Sequence, residues 1–181
     1  MSRNESNQRK PGATKAALQA IDKPALVSLI AELYKRSPEN RRLVDARLHP
    51  RSTVHDARQA VAALMDPSDA ARPLVAEARR VISDFKKGNS QPADVVDLMI
   101  HFVERGNAFT LRYGDIDAEF YESLIRMYGS AAERVHNLPE MVREPFAKRL
   151  SKLVELTQGL GWGYHDALFD AFQDLFPTED A

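Results

Sequence analysis

The amino-acid sequence predicts an all-α protein. Apolar residues recur three and four positions apart through most of the chain, which is the spacing of one helix face. No stretch alternates apolar and polar residues over the length of a strand. Proline and glycine interrupt the helical pattern at short intervals, so we expect a single domain of about eight to nine antiparallel helices. These helices would form either a bundle or a short stack of α–α pairs that is HEAT-like, although no motif repeats at a fixed period.

The N-terminal region predicts a polar tail followed by helices. Residues 1–12 lack periodicity and contain Gly and Pro, so we expect a disordered tail. The helical pattern begins at Thr14. Asp22 is a good N-cap, and Pro24 suits the first turn of the helix that follows. That helix has an apolar stripe at helical spacing, formed by Leu26, Leu29, Ile30, Leu33 and Tyr34.

The next helices are separated by breaks that contain proline. Ser37 as N-cap and Pro38 at the first helical position predict a helix start. This helix should end at His49, because a residue that precedes proline avoids the α conformation. A further helix is expected over about residues 53–65, and the Asp-Pro-Ser-Asp sequence at 66–69 should break it.

Glycine and proline also mark the central helices. One helix should begin near Pro73 and stop at Gly88, and the next should follow Pro92. The helix after Pro92 is broadly apolar, so we expect it to be the most buried of the chain. The pair at 106–107, Gly-Asn, predicts its end, and a short apolar segment over 108–113 follows.

The C-terminal third shows the same alternation of caps, helices and breaks. Asp117 is a good N-cap for a helix that either bends at Gly129 or passes through it. Pro145 lies inside the next amphipathic pattern and should kink or restart that helix. Residues 159–163, Gly-Leu-Gly-Trp-Gly, predict a tight turn before a last helix over 164–176.

Composition and length exclude several kinds of chemistry. The sequence has no cysteine, which removes disulfides, thiolate nucleophiles and cysteine-bound zinc. No apolar run approaches the roughly 18 residues that cross a bilayer, and the N-terminus lacks the apolar core of a secretory signal. We therefore expect a cytoplasmic protein without a membrane partner. The expected organisation is a tail over 1–12, a helical domain over 13–177 and a polar tail over 178–181.

Charge is balanced overall but unevenly distributed. The formal net charge is −1. Residues 1–60 contain 12 Lys and Arg against 6 Asp and Glu, whereas residues 160–181 contain 5 acidic residues and no basic one. This asymmetry predicts either an anionic partner for the basic part or attraction between the two ends, within one chain or between copies.

Several segments, taken together and in order, resemble a bacterial family. The segments are Leu29–Tyr34 with Ser37–Asn40, Ile82–Lys86, Tyr113–Asp117 with Phe120–Tyr121, and Gly159–Asp166. In this order they are similar to an uncharacterised all-helical family, domain of unknown function 6155, over about residues 14–176. The resemblance implies a helical fold and a cytoplasmic, bacterial setting. It implies no activity, cofactor or catalytic residue.

Basic residues between positions 35 and 58 form the strongest binding candidate. A basic face can neutralise several phosphates at once, as nucleic-acid binding requires. It lacks the interleaved aromatic residues of single-strand binders, because only Tyr34 is near. The candidate residues of this basic face are Lys35, Arg36, Arg41, Arg42, Arg47 and Arg51.

The glycine-rich turn is a second candidate, as an anion site at a helix N-terminus. The alternative is that it is only a tight turn between two helices. It lacks the phosphate-loop pattern, because no Lys-Ser or Lys-Thr follows the glycines. As a tight turn, it would pack Trp162 on the core and place Asp166 in the first turn of the last helix. The candidate residues are Gly161, Trp162, Gly163, His165 and Asp166.

Asp97 and His101 lie four residues apart, which is the spacing of two metal ligands on one helix face. A metal-dependent or acid–base site would need Asp115 and His165 to converge with them. The alternative for Asp97 and His101 is a hydrogen bond at the surface.

No coherent catalytic set emerges from these patterns. We therefore expect a non-enzymatic interaction scaffold that binds another protein or itself, with no metal and no cofactor. The alternative is an accessory nucleic-acid binder that uses the basic face over 35–58.

Overall fold

The structure, a computed structural model, describes residues 11–88 and 91–177. This part of the chain folds into nine α-helices and has no strand, which confirms the all-α prediction. The helices are α1 (Pro11–Ala20), α2 (Lys23–Arg36), α3 (Pro38–Leu48), α4 (Pro50–Met65), α5 (Val75–Gly88), α6 (Pro92–Tyr113), α7 (Ala118–His136), α8 (Glu140–Leu156) and α9 (Tyr164–Gln173). No helix in these ranges is both long and apolar enough to span a bilayer.

The chain divides into two units at the junction between Val44 and Asp45. In the first unit, no residue from Gly12 to Val44 is buried. The second unit contains α4 to α9 and the hydrophobic core. The predicted domain boundaries stay a prediction, and the tail residues 1–10 and 178–181 lie outside the described ranges. Pro11 already belongs to α1, so the first helix begins before Thr14.

Side-chain caps fix three helix starts where the sequence predicts them. Asp22, Ser37 and Asp117 each accept a hydrogen bond from the backbone N–H three residues later, at 2.8, 3.2 and 2.9 Å. Each cap satisfies one of the amide groups that have no partner in the first turn of a helix. The predicted end of α3 before Pro50 is also confirmed, but α4 begins at Pro50 itself rather than at 53.

The predicted break at residues 106–107 is wrong, because α6 continues through them to Tyr113. Gly106 is buried against α7, where an added Cβ atom would lie 2.6 Å from Leu124 Cδ2. Asn107 is buried too, and its Oδ1 accepts a hydrogen bond from the Tyr164 hydroxyl at 2.6 Å. Both residues therefore make close contacts with other helices, and neither ends α6.

Two further sequence signals do not end helices. Helix α7 passes through Gly129 without interruption, which is one of the two predicted alternatives. Helix α8 also runs through Pro145, so the predicted restart there is wrong. Pro145 is exposed, and the helix tolerates its missing N–H donor at this position.

Helices of the second unit pack in two layers. Helices α4, α6 and α8 pack on one another in succession, and α7 packs on α9 in the other layer. Each helix also packs on the next along the chain. This order favours the predicted stack of α–α pairs over a bundle. As predicted, α6 is the most buried helix, and twelve of its residues are buried.

Candidate functional site

An open groove lies between α5 and α7, where the second layer of the stack is not closely packed. Both helices pack on α6, which supplies Met99 to the groove. Together with Ile82 and Met127, Met99 gives the groove an apolar floor, and its volume is about 390 Å³. Basic side chains and hydroxyls surround this floor, from Arg79, Ser83 and Lys86 of α5 and from Ser123, Arg126, Ser130 and Arg134 of α7. We call this feature the cationic groove.

Helical spacing places these polar residues along one edge of each helix. On α5, Arg79, Ser83 and Lys86 follow one another at intervals of four and three residues. On α7, intervals of three to four residues connect Ser123 through Arg126 and Ser130 to Arg134. Such intervals keep side chains on one helix face. Each helix therefore contributes a row of hydrogen-bond donors to the groove.

Within the described ranges, most of the positive charge of the groove has no carboxylate partner. Among the residues that the structure describes, no carboxylate lies within ion-pair distance of Arg79, Lys86 or Arg134. Arg126 pairs with Glu122 at 3.3 Å, but both side chains are exposed, so the pair contributes little. None of the described residues that line the groove is Asp, Glu or His. The described lining therefore offers hydrogen-bond donors and positive charge to an anion.

A smaller cavity of about 150 Å³ continues the groove towards the start of α5. Arg79 and Ser123 line both cavities. At this end Arg72 pairs with Asp117 at 2.5 Å, and Glu119 also lines the wall. The excess of positive charge therefore ends near Arg79.

The residues of the predicted basic face belong to both units. Lys35, Arg36, Arg41 and Arg42 lie before the Val44–Asp45 junction, and Arg47 lies after it. All five are exposed. The side chain of Arg51 lies outside what the structure describes. As a joint surface, the basic face stays a prediction.

Two of these basic residues already interact with neighbours in the first unit. Arg42 forms an ion pair with Glu39 at 3.1 Å, and the Arg41 guanidinium lies 5.5 Å from the centroid of the Tyr34 ring. Both contacts are local to α2 and α3. The aromatic contact does not neutralise the charge of Arg41, whereas the ion pair reduces that of Arg42.

The tryptophan of the glycine-rich turn points outwards. Gly159, Trp162 and Gly163 all have positive φ angles, of 84°, 64° and 66°. Trp162 is 62% exposed, so the prediction that it packs on the core is wrong. Tyr164 takes the core position instead and is fully buried. Gly161 is exposed in the same turn.

Two candidate residues that follow the turn have structural positions at the adjoining helices: one lies in α9, and the other contacts α8. Asp166 lies in the first turn of α9, as predicted. His165 Nδ1 lies 3.1 Å from Thr157 Oγ1 and 3.2 Å from the Val154 carbonyl oxygen. The imidazole of His165 therefore contacts the C-terminal end of α8.

Asp97 and His101 belong to an ion-pair network between α4, α6 and α8. Asp97 accepts hydrogen bonds from Arg58 at 2.5 Å and from Arg149 at 2.6 Å. Arg149 also binds both carboxylate oxygens of Glu104, at 2.9 and 3.0 Å. His101 Nε2 lies 3.2 Å from the Arg58 carbonyl oxygen. Two arginine guanidinium groups thus contact the carboxylate that we considered as a metal ligand.

The four residues whose convergence a metal or acid–base site would need do not converge. Asp115 accepts a hydrogen bond from the Tyr121 hydroxyl at 2.5 Å, whereas His165 contacts α8. Asp97 and His101 contact Arg58, so the four side chains have three separate sets of partners. Within the described ranges, no three His, Asp or Glu side chains lie close enough together to hold a metal ion.

The network lowers the pKa of one carboxyl group strongly. Burial raises the pKa of Glu104, but the neighbouring His101 and the Arg149 guanidinium outweigh burial and lower that pKa to about 2. His101 Nδ1 lies 3.5 Å from Glu104 Oε2. The charged form of Glu104 is therefore held by its neighbours in the folded protein.

Comparison with protein families, with curated proteins and with solved structures found no match to this chain. The resemblance to domain of unknown function 6155 therefore stays a prediction. The geometry of the cationic groove provides the basis for a functional proposal.

Proposed function

We propose that this protein is a non-enzymatic interaction protein that binds an acidic segment of a partner protein in the cationic groove. The observation that supports this function is the combination of four basic side chains, three serine hydroxyls and an apolar floor, without a carboxylate among the described lining residues. An acidic segment would satisfy these donors, and its apolar side chains would cover the floor.

The apolar floor favours a peptide over a bare polyanion. Met99 and Met127 have flexible, polarisable side chains that adapt to differently shaped apolar partners. A phosphate backbone offers no apolar side chains to such a floor. The described lining residues include no aromatic side chain on which a base could stack. The net charge of −1 also works against binding a long polyanion.

Binding to a fluorescent amphipathic peptide tests this function. The peptide should place Asp or Glu every four residues beside Leu, and a peptide with Lys in place of the acids serves as the ligand control. The test variant is Arg79→Glu with Arg134→Glu. The matched control variant, Arg80→Glu with Lys152→Glu, makes the same charge change at exposed positions that do not line the groove.

We expect the wild-type protein to bind the acidic peptide, with an affinity that falls as salt rises. The groove variant should lose about tenfold or more in affinity, whereas the control variant should lose much less. Equal losses in the two variants would contradict the proposal. Tight binding of an oligonucleotide that the groove variant retains would instead support the alternative function, a nucleic-acid binder that uses the basic face.

A further inference from the structure

Helix α9 exposes an acidic stripe that resembles the ligand expected for the groove. Asp166, Asp170 and Asp174 follow one another every four residues, and all three are exposed. Asp174 continues the helical backbone as the C-cap residue, and its N–H donates to the Asp170 carbonyl oxygen. Phe169 lies beside the stripe and is 45% exposed. The stripe therefore combines carboxylates with an apolar side chain.

The carboxylates of this stripe have no cationic partner within the part of the chain that the structure describes. Helix α9 packs on α7 and α8 through the buried Tyr164 and Leu168. No ion pair connects the stripe to Arg79, Lys86 or Arg134 of the same chain. Among the described residues, one copy thus presents a groove with an excess of positive charge and an acidic stripe without a cationic partner at the same time.

The two charged features have similar lengths. With a rise of 1.5 Å per residue, the distance along α9 from Asp166 to Asp174 is about 12 Å. The distance along α7 from Arg126 to Arg134 is also about 12 Å, and that along α5 from Arg79 to Lys86 is about 10 Å. Three carboxylates at this spacing therefore match the length of the basic row on either wall of the groove.

We propose that the partner of the groove is a second copy of this chain, whose α9 stripe and Phe169 dock between α5 and α7. This inference rests on the proposed function of the groove. The contact joins two different surfaces, so copies associate head to tail into a ring or an open chain. The net charge of −1 per copy gives only weak long-range repulsion, and the complementary surfaces decide the association.

Sedimentation velocity of the full chain over a wide concentration range tests this association. The groove variant is again Arg79→Glu with Arg134→Glu, and the stripe variant is Asp170→Lys with Asp174→Lys. A matched control, Glu140→Lys with Glu155→Lys, reverses two exposed acids on α8. Circular dichroism of every variant checks that its helix content is retained.

We expect the wild-type and control proteins to associate as concentration rises, and the groove and stripe variants each to stay monomeric. A mixture of the groove variant with the stripe variant should associate again into pairs, because the unchanged stripe of the first then meets the unchanged groove of the second. This recovery distinguishes charge complementarity from damage to the fold.

The outcomes separate this inference from the proposed function. If the wild-type protein stays monomeric but binds the acidic peptide, the groove function stands and self-association is wrong. If it neither associates nor binds the peptide, both proposals are wrong. Association that persists in the groove variant, or that the control variant also loses, overturns the docking of α9 in the groove.

Discussion

At the scale of the residue, Arg149 joins side chains that are far apart in the sequence. Its guanidinium binds Glu104 and Asp97, which lie 45 and 52 positions earlier in the chain. Helix α8 is thereby tied to α6, and Arg58 ties α4 to the same Asp97. Because these partly buried charges share partners across three helices, loss of one charge weakens the contacts of the charges that remain.

The lowered pKa of Glu104 predicts how stability depends on pH. The pKa of this carboxyl is about 2 in the folded protein, well below its ordinary value of 4.5. Since the folded pKa is the lower one, the stabilisation is fully present above the unfolded value and is lost as pH falls from about 4.5 towards 2. Its size should be on the order of 2–3 kcal/mol.

Urea denaturation at about pH 6 and about pH 3 measures this loss. Glu104→Gln removes the titrating group, so the variant should lose less stability between the two pH values than the wild-type protein. Glu155→Gln, at an exposed position on α8, is the control and should behave as the wild-type protein does. An identical pH dependence in Glu104→Gln and wild type would contradict the assignment.

At this scale, contacts between residues close in the sequence could be predicted, whereas contacts between distant residues could not. The caps Asp22, Ser37 and Asp117 could be predicted because donor and acceptor lie three residues apart. The shared helix face of Asp97 and His101 was also predictable, but their arginine partners were not. Trp162 was misplaced because hydrophobicity alone favours the core and says nothing about which of two neighbouring aromatic residues the turn directs inwards.

At the scale of the element, two glycines in adjacent helices have opposite roles. Gly106 lies where α6 approaches α7, and an added Cβ atom would be 2.6 Å from one methyl carbon of Leu124 and 3.0 Å from the other. Leu124 is fully buried and has little room to move. Gly129 of α7 has no atom within 4 Å of the corresponding position.

Substitution of each glycine by alanine should therefore change stability in opposite directions. Gly106→Ala should destabilise the protein by about 1–3 kcal/mol, because the core cannot accept the extra methyl group without a shift. Gly129→Ala should stabilise it by up to about 1 kcal/mol, because alanine favours the helix over glycine. Chemical denaturation of both variants measures the two effects, and a stabilising Gly106→Ala would show that α6 and α7 are free to separate.

The same glycine explains why the helix boundaries could be predicted only in part. Most boundaries follow from proline, capping side chains and turn residues, all of which act within a few positions. A glycine that ends a helix and a glycine that admits a neighbouring helix look the same in one sequence. Likewise, the helical spacing of the basic residues and serines on α5 and on α7 is visible in the sequence. That the two helices face each other across α6 depends on tertiary packing.

At the scale of the whole molecule, burial differs sharply between the two units. No residue from Gly12 to Val44 is buried, although large apolar side chains such as Val27 and Leu33 occur there. Helix α6 of the second unit has twelve buried residues. The spacing of apolar residues predicts helices in both units. It does not tell how much of each apolar helix face is buried against other helices of the chain.

This difference predicts a wide range of local stability, which amide hydrogen exchange measures directly. Amides of α1 and α2 depend on helix propensity and exposed contacts, and a helix of 10 or 14 residues is marginal without tertiary packing. Their opening should cost little free energy, whereas opening of α6 should require unfolding of the second unit. We expect exchange on the order of a thousandfold or more faster in α1 and α2 than in the centre of α6. The partly exposed α5 is the internal control, since it shares a unit with α6 and should be protected well above α2. Protection of α2 equal to that of α6 in a dilute, monomeric sample would mean that the first unit is stabilised by contacts other than side-chain burial.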